Sequence, residues 1–297
     1  MIKASHPIEP DAVENLEDAL YELAPSNWSL IVSQKDGTGD LEGFFDSEKD
    51  ARLALEELES ILGHAFEKPF RIDELADRDW KESYKAHFKA WSRGTIHWVP
   101  EWERESYEIP DGHHALYVDP GMAFGTGNHE TTRLCLESMI SICEGKKFDD
   151  CIDLGCGSGI LSLSAFLLGI GKIKAIDFDP DAIKVAHDNA TLNQMNGMVD
   201  FKTQPLETLD ENQDYDLVLA NIQADVLMQN AERLIGLVRK GGSLVLSGIL
   251  AIEMQSVESH FTDQLKSSDL AFDHSTKNLN EWSSLCIHIV NDQTRGW

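Results

Sequence analysis

The chain has 297 residues, 42% of them apolar and 26% charged. That composition fits one large or two smaller globular domains and excludes a disordered, collagen-like or coiled-coil chain. Its 25 basic and 52 acidic residues leave a formal charge of −27, which argues against direct DNA binding or an anionic membrane, both of which need a basic face, and suits a basic partner or, equally, a need for solubility.

The first pattern runs over residues 1–72. Apolar positions Val13, Leu16, Ala19, Leu20 and Leu23 predict a helix over Asp11–Leu23. Trp28–Val32 reads as a strand, and the turn Asp36-Gly37-Thr38-Gly39-Asp40 separates it from a second strand at Leu41–Phe45. A helix over Ser47–Leu62 follows, with Ser47 as its cap and Gly63 as its stop. Phe66–Ile72 is the last strand of the set. The order helix–strand–strand–helix–strand, with a first strand that the pattern does not define, predicts a small α+β sandwich. No catalytic constellation lies in it, so an accessory or substrate-docking role is expected.

Residues 73–112 are an aromatic connector containing Trp80, Tyr84, Phe88, Trp91, Trp98 and Trp102. Spacings of four, four and three put Trp80, Tyr84, Phe88 and Trp91 on one helical face, which predicts packing between domains rather than a ligand cage. Residues 113–297 then alternate. Ala115–Val118 is a short strand, and a helix spans roughly Thr132–Ile142. Strands at Cys151–Leu154, Lys174–Phe178, Asp216–Ala220 and Ser243–Ser247 interleave with helices at Ile160–Leu168, Ala182–Asn193, Val226–Val238 and Glu253–Leu265. Trp282–Val290 is the closing strand. This alternation predicts a doubly wound α/β sheet.

The cysteines Cys135, Cys143, Cys151, Cys156 and Cys286 are odd in number and form no CxxC pair, so neither a disulfide framework nor a metal site is expected. The N-terminus has no signal-peptide core, and no run of about 18 apolar residues occurs. A reducing cytoplasm is the expected compartment.

The strongest chemical signal is Asp153-Leu154-Gly155-Cys156-Gly157-Ser158-Gly159, between an apolar strand and an apolar helix. Glycines here let the main chain turn tightly and approach a nucleotide-like ligand at the carboxyl end of a sheet. The preceding carboxylate of Asp153 suits a cationic ligand better than a pyrophosphate. Asp177 ends the next strand, where a carboxylate can accept from both ribose hydroxyls; capping of the following helix by Asp177 or Asp179 is the competing role. Asn221 ends the strand after that, facing the same crevice with a donor and an acceptor, or serving as a local cap.

Together these three elements resemble the class I S-adenosylmethionine-dependent methyltransferases over residues 150–250. Upstream, Asp119-Pro120-Gly121-Met122-Ala123-Phe124-Gly125-Thr126-Gly127-Asn128-His129-Glu130-Thr131-Thr132 is similar to a signature of the PrmA family, which methylates large-subunit ribosomal protein L-eleven. Asn128 and Glu130 depart from the family's usual Thr and Pro. Asp79-Trp80, Phe88, Trp98, Pro100 and Trp102 match the family's aromatic linker. The resemblance implies a Rossmann-like, seven-stranded class I methyltransferase sheet with a small N-terminal α+β (ferredoxin-like) domain for substrate recognition. It implies S-adenosyl-L-methionine as cofactor, held by Thr132, Gly155, Gly157, Asp177 and Asn221, with Phe124 and Gly125 folding over it. Asn221 is the expected catalytic residue, as an acceptor for the amine. His129 is open to a base role, although stapling a loop is commoner. Asp225 is open to attracting an ammonium or to serving as a helix N-terminal charge. The implied activity is N-methylation of lysine side chains and an α-amine of L-eleven; separately, a monomer is expected. The alternatives are another basic protein or small amine as substrate, a noncatalytic cofactor-binding or ribosome-assembly module, or a nicotinamide oxidoreductase, against which the G-x-G-x-G spacing argues.

Overall fold

The computed structural model describes residues 2–22, 27–32, 38–45, 47–66, 69–74, 89–119, 129–210 and 213–291. The chain forms two compact units, Met1–His87 and Phe88–Trp297.

The first unit contains β1 (Ile2–Ile8), α1 (Val13–Glu22), β2 (Trp28–Val32), β3 (Gly39–Phe45), α2 (Glu48–Leu62) and β4 (Arg71–Glu74). Its antiparallel pairs give the order β2-β3-β1-β4, the ferredoxin-like arrangement. The strand that the hydropathy pattern does not define is β1. Its sequence includes Ser5, His6 and Pro7, yet Ala4, His6 and Ile8 alternate inward. Ser47 caps α2 by accepting from the Asp50 N–H at 3.2 Å, and Gly63 ends it in the left-handed conformation. Ala4, Leu16, Trp28, Leu41, Phe45 and Leu58 form the core. The last strand is shifted from Phe66–Ile72 to Arg71–Glu74, because Phe66 and Phe70 turn their rings onto each other and onto His6.

The second unit opens with a three-stranded sheet of β5 (Trp91–Arg93), β6 (Ile96–Pro100) and β7 (His114–Val118). Trp91 is therefore on a strand, not on a helical face continuing Phe88. Its ring stacks on Trp98 with centroids 4.1 Å apart, and the Arg133 guanidinium lies 4.7 Å over it. Trp80, Tyr84 and Phe88 lie outside the described residues. Trp98 Nε1 donates to Ser164 Oγ at 2.9 Å, which fastens this sheet to the α/β core.

The elements that follow are α3 (Glu130–Cys143), β8 (Asp150–Leu154), α4 (Ile160–Leu167), β9 (Lys172–Asp177), α5 (Pro180–Leu192), β10 (Asp200–Thr203), β11 (Tyr215–Asn221), α6 (Ala224–Gln229), α7 (Ala231–Gly236), β12 (Val238–Leu250), α8 (Met254–Ser267), β13 (Phe272–Leu279) and β14 (Trp282–Ile289). The strands form one seven-stranded sheet, β10-β9-β8-β11-β12-β14-β13, parallel except where β14 runs against β12 and β13. The expected helix Val226–Val238 is two short helices joined at Asn230, whose side chain caps the Val226 carbonyl at 2.9 Å; Val238 already belongs to β12. Apolar cores cover both sheet faces, one with Cys135, Leu136 and Leu163 against the strands, the other with Leu227, Leu234 and Phe261. At the amino edge, Arg239 bridges Asp150, Asp214 and Asp216. Among the described residues, no helix is long and apolar enough to cross a membrane.

Candidate active site

The chain order sets the site. From β8 the sheet is built outward through β9 and β10, and the chain then returns to place β11 on the other side of β8. A crevice opens at such a switch point, beyond the carboxyl ends of the strands. Asp153, Asp177 and Asn221 all stand at those ends.

The glycine loop is folded back on β9. The N–H groups of Gly155 and Cys156 both donate to the Ile176 carbonyl, at 2.9 and 3.0 Å. Gly155 adopts φ +71°, and a Cβ there would meet Ile222 Cγ2 at 2.5 Å, so the bare position is required by both conformation and space. Asp177 completes the loop. Its Oδ2 accepts from the Gly157 N–H at 2.9 Å and its Oδ1 from the Asp179 N–H at 3.0 Å. Capping of α5 falls to Asp179, which accepts from the Asp181 N–H at 2.8 Å. Asp177 therefore joins the loop to the strand end, with a lone pair left on each oxygen for a further donor.

Two buried side-chain acceptors among the described residues have no partner, Asp153 Oδ1 and Asn221 Oδ1. The β8–β11 register pairs Asp153 with Leu219, two residues before Asn221, so both side chains face the α3 and α4 side of the sheet. The other Asp153 oxygen accepts from Ser162 Oγ. Burial is the main cause that pushes the Asp153 carboxyl up to about 7, helped by the Asp177 charge and opposed by the Ser162 bond. A buried acceptor without a donor is costly, and two on one face mark where a donor-bearing ligand would satisfy them.

On the α3 side, Asn221 Nδ2 donates to Thr132 Oγ1 at 3.3 Å. The helix starts at Glu130, before the expected Thr132, so Thr131 and Thr132 lie within its first turn, both buried. His129 is the N-cap: its Nδ1 accepts from the Thr131 N–H at 3.4 Å and contacts Thr131 Oγ1 at 2.9 Å, and its ring meets Trp282 edge-on at 5.0 Å. That is the stapling role. Asp225 is exposed in the first turn of α6, where its Oδ1 takes the Val226 N–H at 2.8 Å, the position of a helix N-terminal charge. Phe124 and Gly125 lie outside the described residues. Burial pushes the thiols of Cys135, Cys151 and Cys156 up, so they stay protonated and make poor nucleophiles.

Residues 9–289 match the family described as ribosomal protein L11 methyltransferase (PrmA). The chain belongs to this family. A ribosomal protein L11 methyltransferase of Pelobacter propionicus is 39% identical over 284 residues, which cover 92% of this chain and 86% of that one. One from Trichlorobacter lovleyi is 40% identical over 209 residues, covering 69% and 67%. The crystal structure of a ribosomal protein L11 methylase from Lactobacillus delbrueckii subsp. bulgaricus superposes with a TM-score of 0.60 at 26% identity, over 69% of this chain and all of that one. Against this family background, the glycine loop, Asp177 and Asn221 stand together at one crevice with Thr132 beside Asn221. Sequence reasoning missed Ser162, the partner of Asp153, and Ser247, whose Oγ donates to the Thr131 carbonyl at 2.8 Å. The signal for each was a serine beside buried leucines, Leu161 and Leu163 for Ser162 and Leu244 and Leu246 for Ser247.

Proposed function

We propose that the chain is an S-adenosyl-L-methionine-dependent protein N-methyltransferase acting on amino groups, lysine side chains and the α-amine, of large-subunit ribosomal protein L11. Family membership supports the reaction and the substrate. The observation that carries the site assignment is the pair of orphaned acceptors, Asp153 Oδ1 and Asn221 Oδ1, at adjacent strand ends beside the glycine loop.

These residues fit the cofactor. It is cationic and carries an ammonium and a ribose, and Asp153 Oδ1 and Asp177 offer what each needs. Gly155, Gly157, Asp177, Thr132 and Asn221 would hold it, Gly155 by allowing close main-chain approach, with Phe124 and Gly125 assigned to cover it. When bound, it supplies an electrophilic methyl group on a sulfonium. The protein's share is to deliver a neutral amine in line with that methyl. A lysine ammonium with a pKa of about 10.4 costs roughly 4.6 kcal/mol to neutralise at pH 7, and an α-amine near 8 costs far less. Burial at the crevice lowers that cost, and an acceptor at Asn221 Oδ1 orients the nitrogen. No dedicated base is required, consistent with His129 being occupied as a cap.

By the same reading, residues 1–72 recognise the substrate, 73–112 connect and 113–297 carry out the transfer in a cytoplasmic monomer that does not bind DNA directly. The test is incubation of the purified chain with methyl-labelled cofactor and purified L11. Label on L11 amines supports the function; label on neither lysines nor the α-amine refutes it.

A further inference from the structure

The end of β12 carries two features that the glycine loop and Asp177 do not explain. Ser247 is fully buried, a hydroxyl among Leu244, Val245, Leu246 and Ile249. Its Oγ reaches across to α3 and donates to the Thr131 carbonyl at 2.8 Å. The β11–β12 register pairs Ser247 with Asn221, so both side chains stand on the same face. Asn221 in turn donates to Thr132. Two neighbouring strands thus each place one hydrogen bond on consecutive residues of the first turn of α3.

One residue further, Gly248 adopts φ +84°, and a Cβ there would lie 2.3 Å from the Ile222 carbonyl oxygen. The β12–β14 register shifts between Leu246 and Ile249, around this glycine. The bulge lets the main chain of Ile222, the residue after Asn221, lie against β12, while Ile222 Cγ2 occupies the space that a Gly155 side chain would need. Asn221 is therefore held from behind by the bulge and from above by α3.

The Asn221–Thr132 bond is at the long end of the hydrogen-bond range. A shift of α3 by a few tenths of an ångström breaks it. The amide is then free to turn and present its N–H groups, which repel an incoming ammonium and donate to the amine lone pair, withholding it from the methyl.

We propose that Ser247 is a positioning residue for methyl transfer. Its hydroxyl fixes the first turn of α3 so that Thr132 receives the Asn221 Nδ2 hydrogen and Asn221 Oδ1 faces the incoming amine. This rests on the function proposed above.

The experiment is steady-state methylation of L11 by the full chain carrying Ser247→Ala, at saturating cofactor, with thermal melting to verify folding. Removing one oxygen adds no volume to the buried site. The expected result is a kcat about tenfold lower, with KM for L11 within about twofold and calorimetric affinity for the cofactor falling by less than kcat does. The rising limb of the kcat–pH profile moves to higher pH, because the amine is less readily neutralised. Ser247→Thr, which keeps the hydroxyl, restores kcat. A kcat within twofold of wild type overturns the inference. So does a loss of kcat with an unmoved pH profile, the signature of a purely structural tether. An inactive wild type overturns the proposed function itself, and this inference with it; an active wild type with an unaffected alanine variant overturns the inference alone.

Discussion

Replacing Asp153 with Asn tests the electrostatics at the heart of the site. In the folded chain this carboxyl is pushed from its ordinary 3.8 to about 7, chiefly by burial. The sign follows from linkage. A carboxyl whose folded-state pKa is raised binds its proton more tightly when folded, so its contribution is fully favourable below about pH 4, falls as pH rises, and levels off above about pH 7. With each tenfold change in proton affinity equivalent to about 1.4 kcal/mol, wild type should lose on the order of 2–3 kcal/mol relative to Asp153→Asn between pH 5 and 7. Urea denaturation of both proteins across that range measures the difference directly and cancels the other titrating groups. A ligand ammonium reverses the preference, since it binds the ionised carboxylate. Calorimetric affinity of wild type for the cofactor should therefore rise by roughly tenfold between about pH 5.5 and 7, following the ionised fraction, while Asp153→Asn binds weakly and without that trend. A stability difference that does not change with pH, or a cofactor affinity equally flat in both proteins, would refute the reasoning.

Four further outcomes follow. Gly155→Ala forces a side chain into Ile222 Cγ2 at φ +71°; calorimetry should show loss of cofactor binding, and denaturation a loss of about 1–3 kcal/mol. Asn221→Ala removes the proposed amine acceptor and should lower the single-turnover rate on L11 by about a hundredfold, on the scale of a lost charge-stabilising group, while cofactor affinity falls less. Arg239→Ala breaks the bridge to Asp150 and Asp216 at the opposite sheet edge; it should cost roughly 1–2 kcal/mol in urea denaturation and leave kcat unchanged. With a net charge of −27, kcat/KM for the basic substrate should drop as salt rises from low to physiological strength, measured by initial rates; a flat response would remove steering.

The legible parts were those where one residue type has one job. Glycines between an apolar strand and an apolar helix mark the loop, and Asp177 and Asn221 end apolar strands at predictable places. The α/β alternation was readable for the same reason, since β8 and β11 are largely buried and β9 carries Ile173, Ala175 and Ile176 in the core. The illegible strands are mostly at edges. β10 and β13 expose most of their side chains, and Asp273, His274, Ser275, Thr276 and Lys277 give no hydrophobic period. β1 hides behind a proline and a histidine. The α6–α7 break at Asn230 leaves the apolar spacing intact and so read as one helix. In the site, the sequence places a carboxylate at Asp153 but cannot say that one of its oxygens lacks a partner, because that depends on Ser162 arriving from α4. The link from Ser247 to Thr131 joins residues 116 apart in the chain and leaves no local pattern at either.

The most direct measurement is calorimetric titration of the full chain and of Asp177→Ala with S-adenosyl-L-methionine. The proposed site predicts one cofactor bound per wild-type chain and an affinity at least tenfold weaker in the variant, which loses the proposed ribose acceptor together with the tie to Gly157. Wild type that takes up no cofactor, or a variant that binds as tightly as wild type, would contradict it.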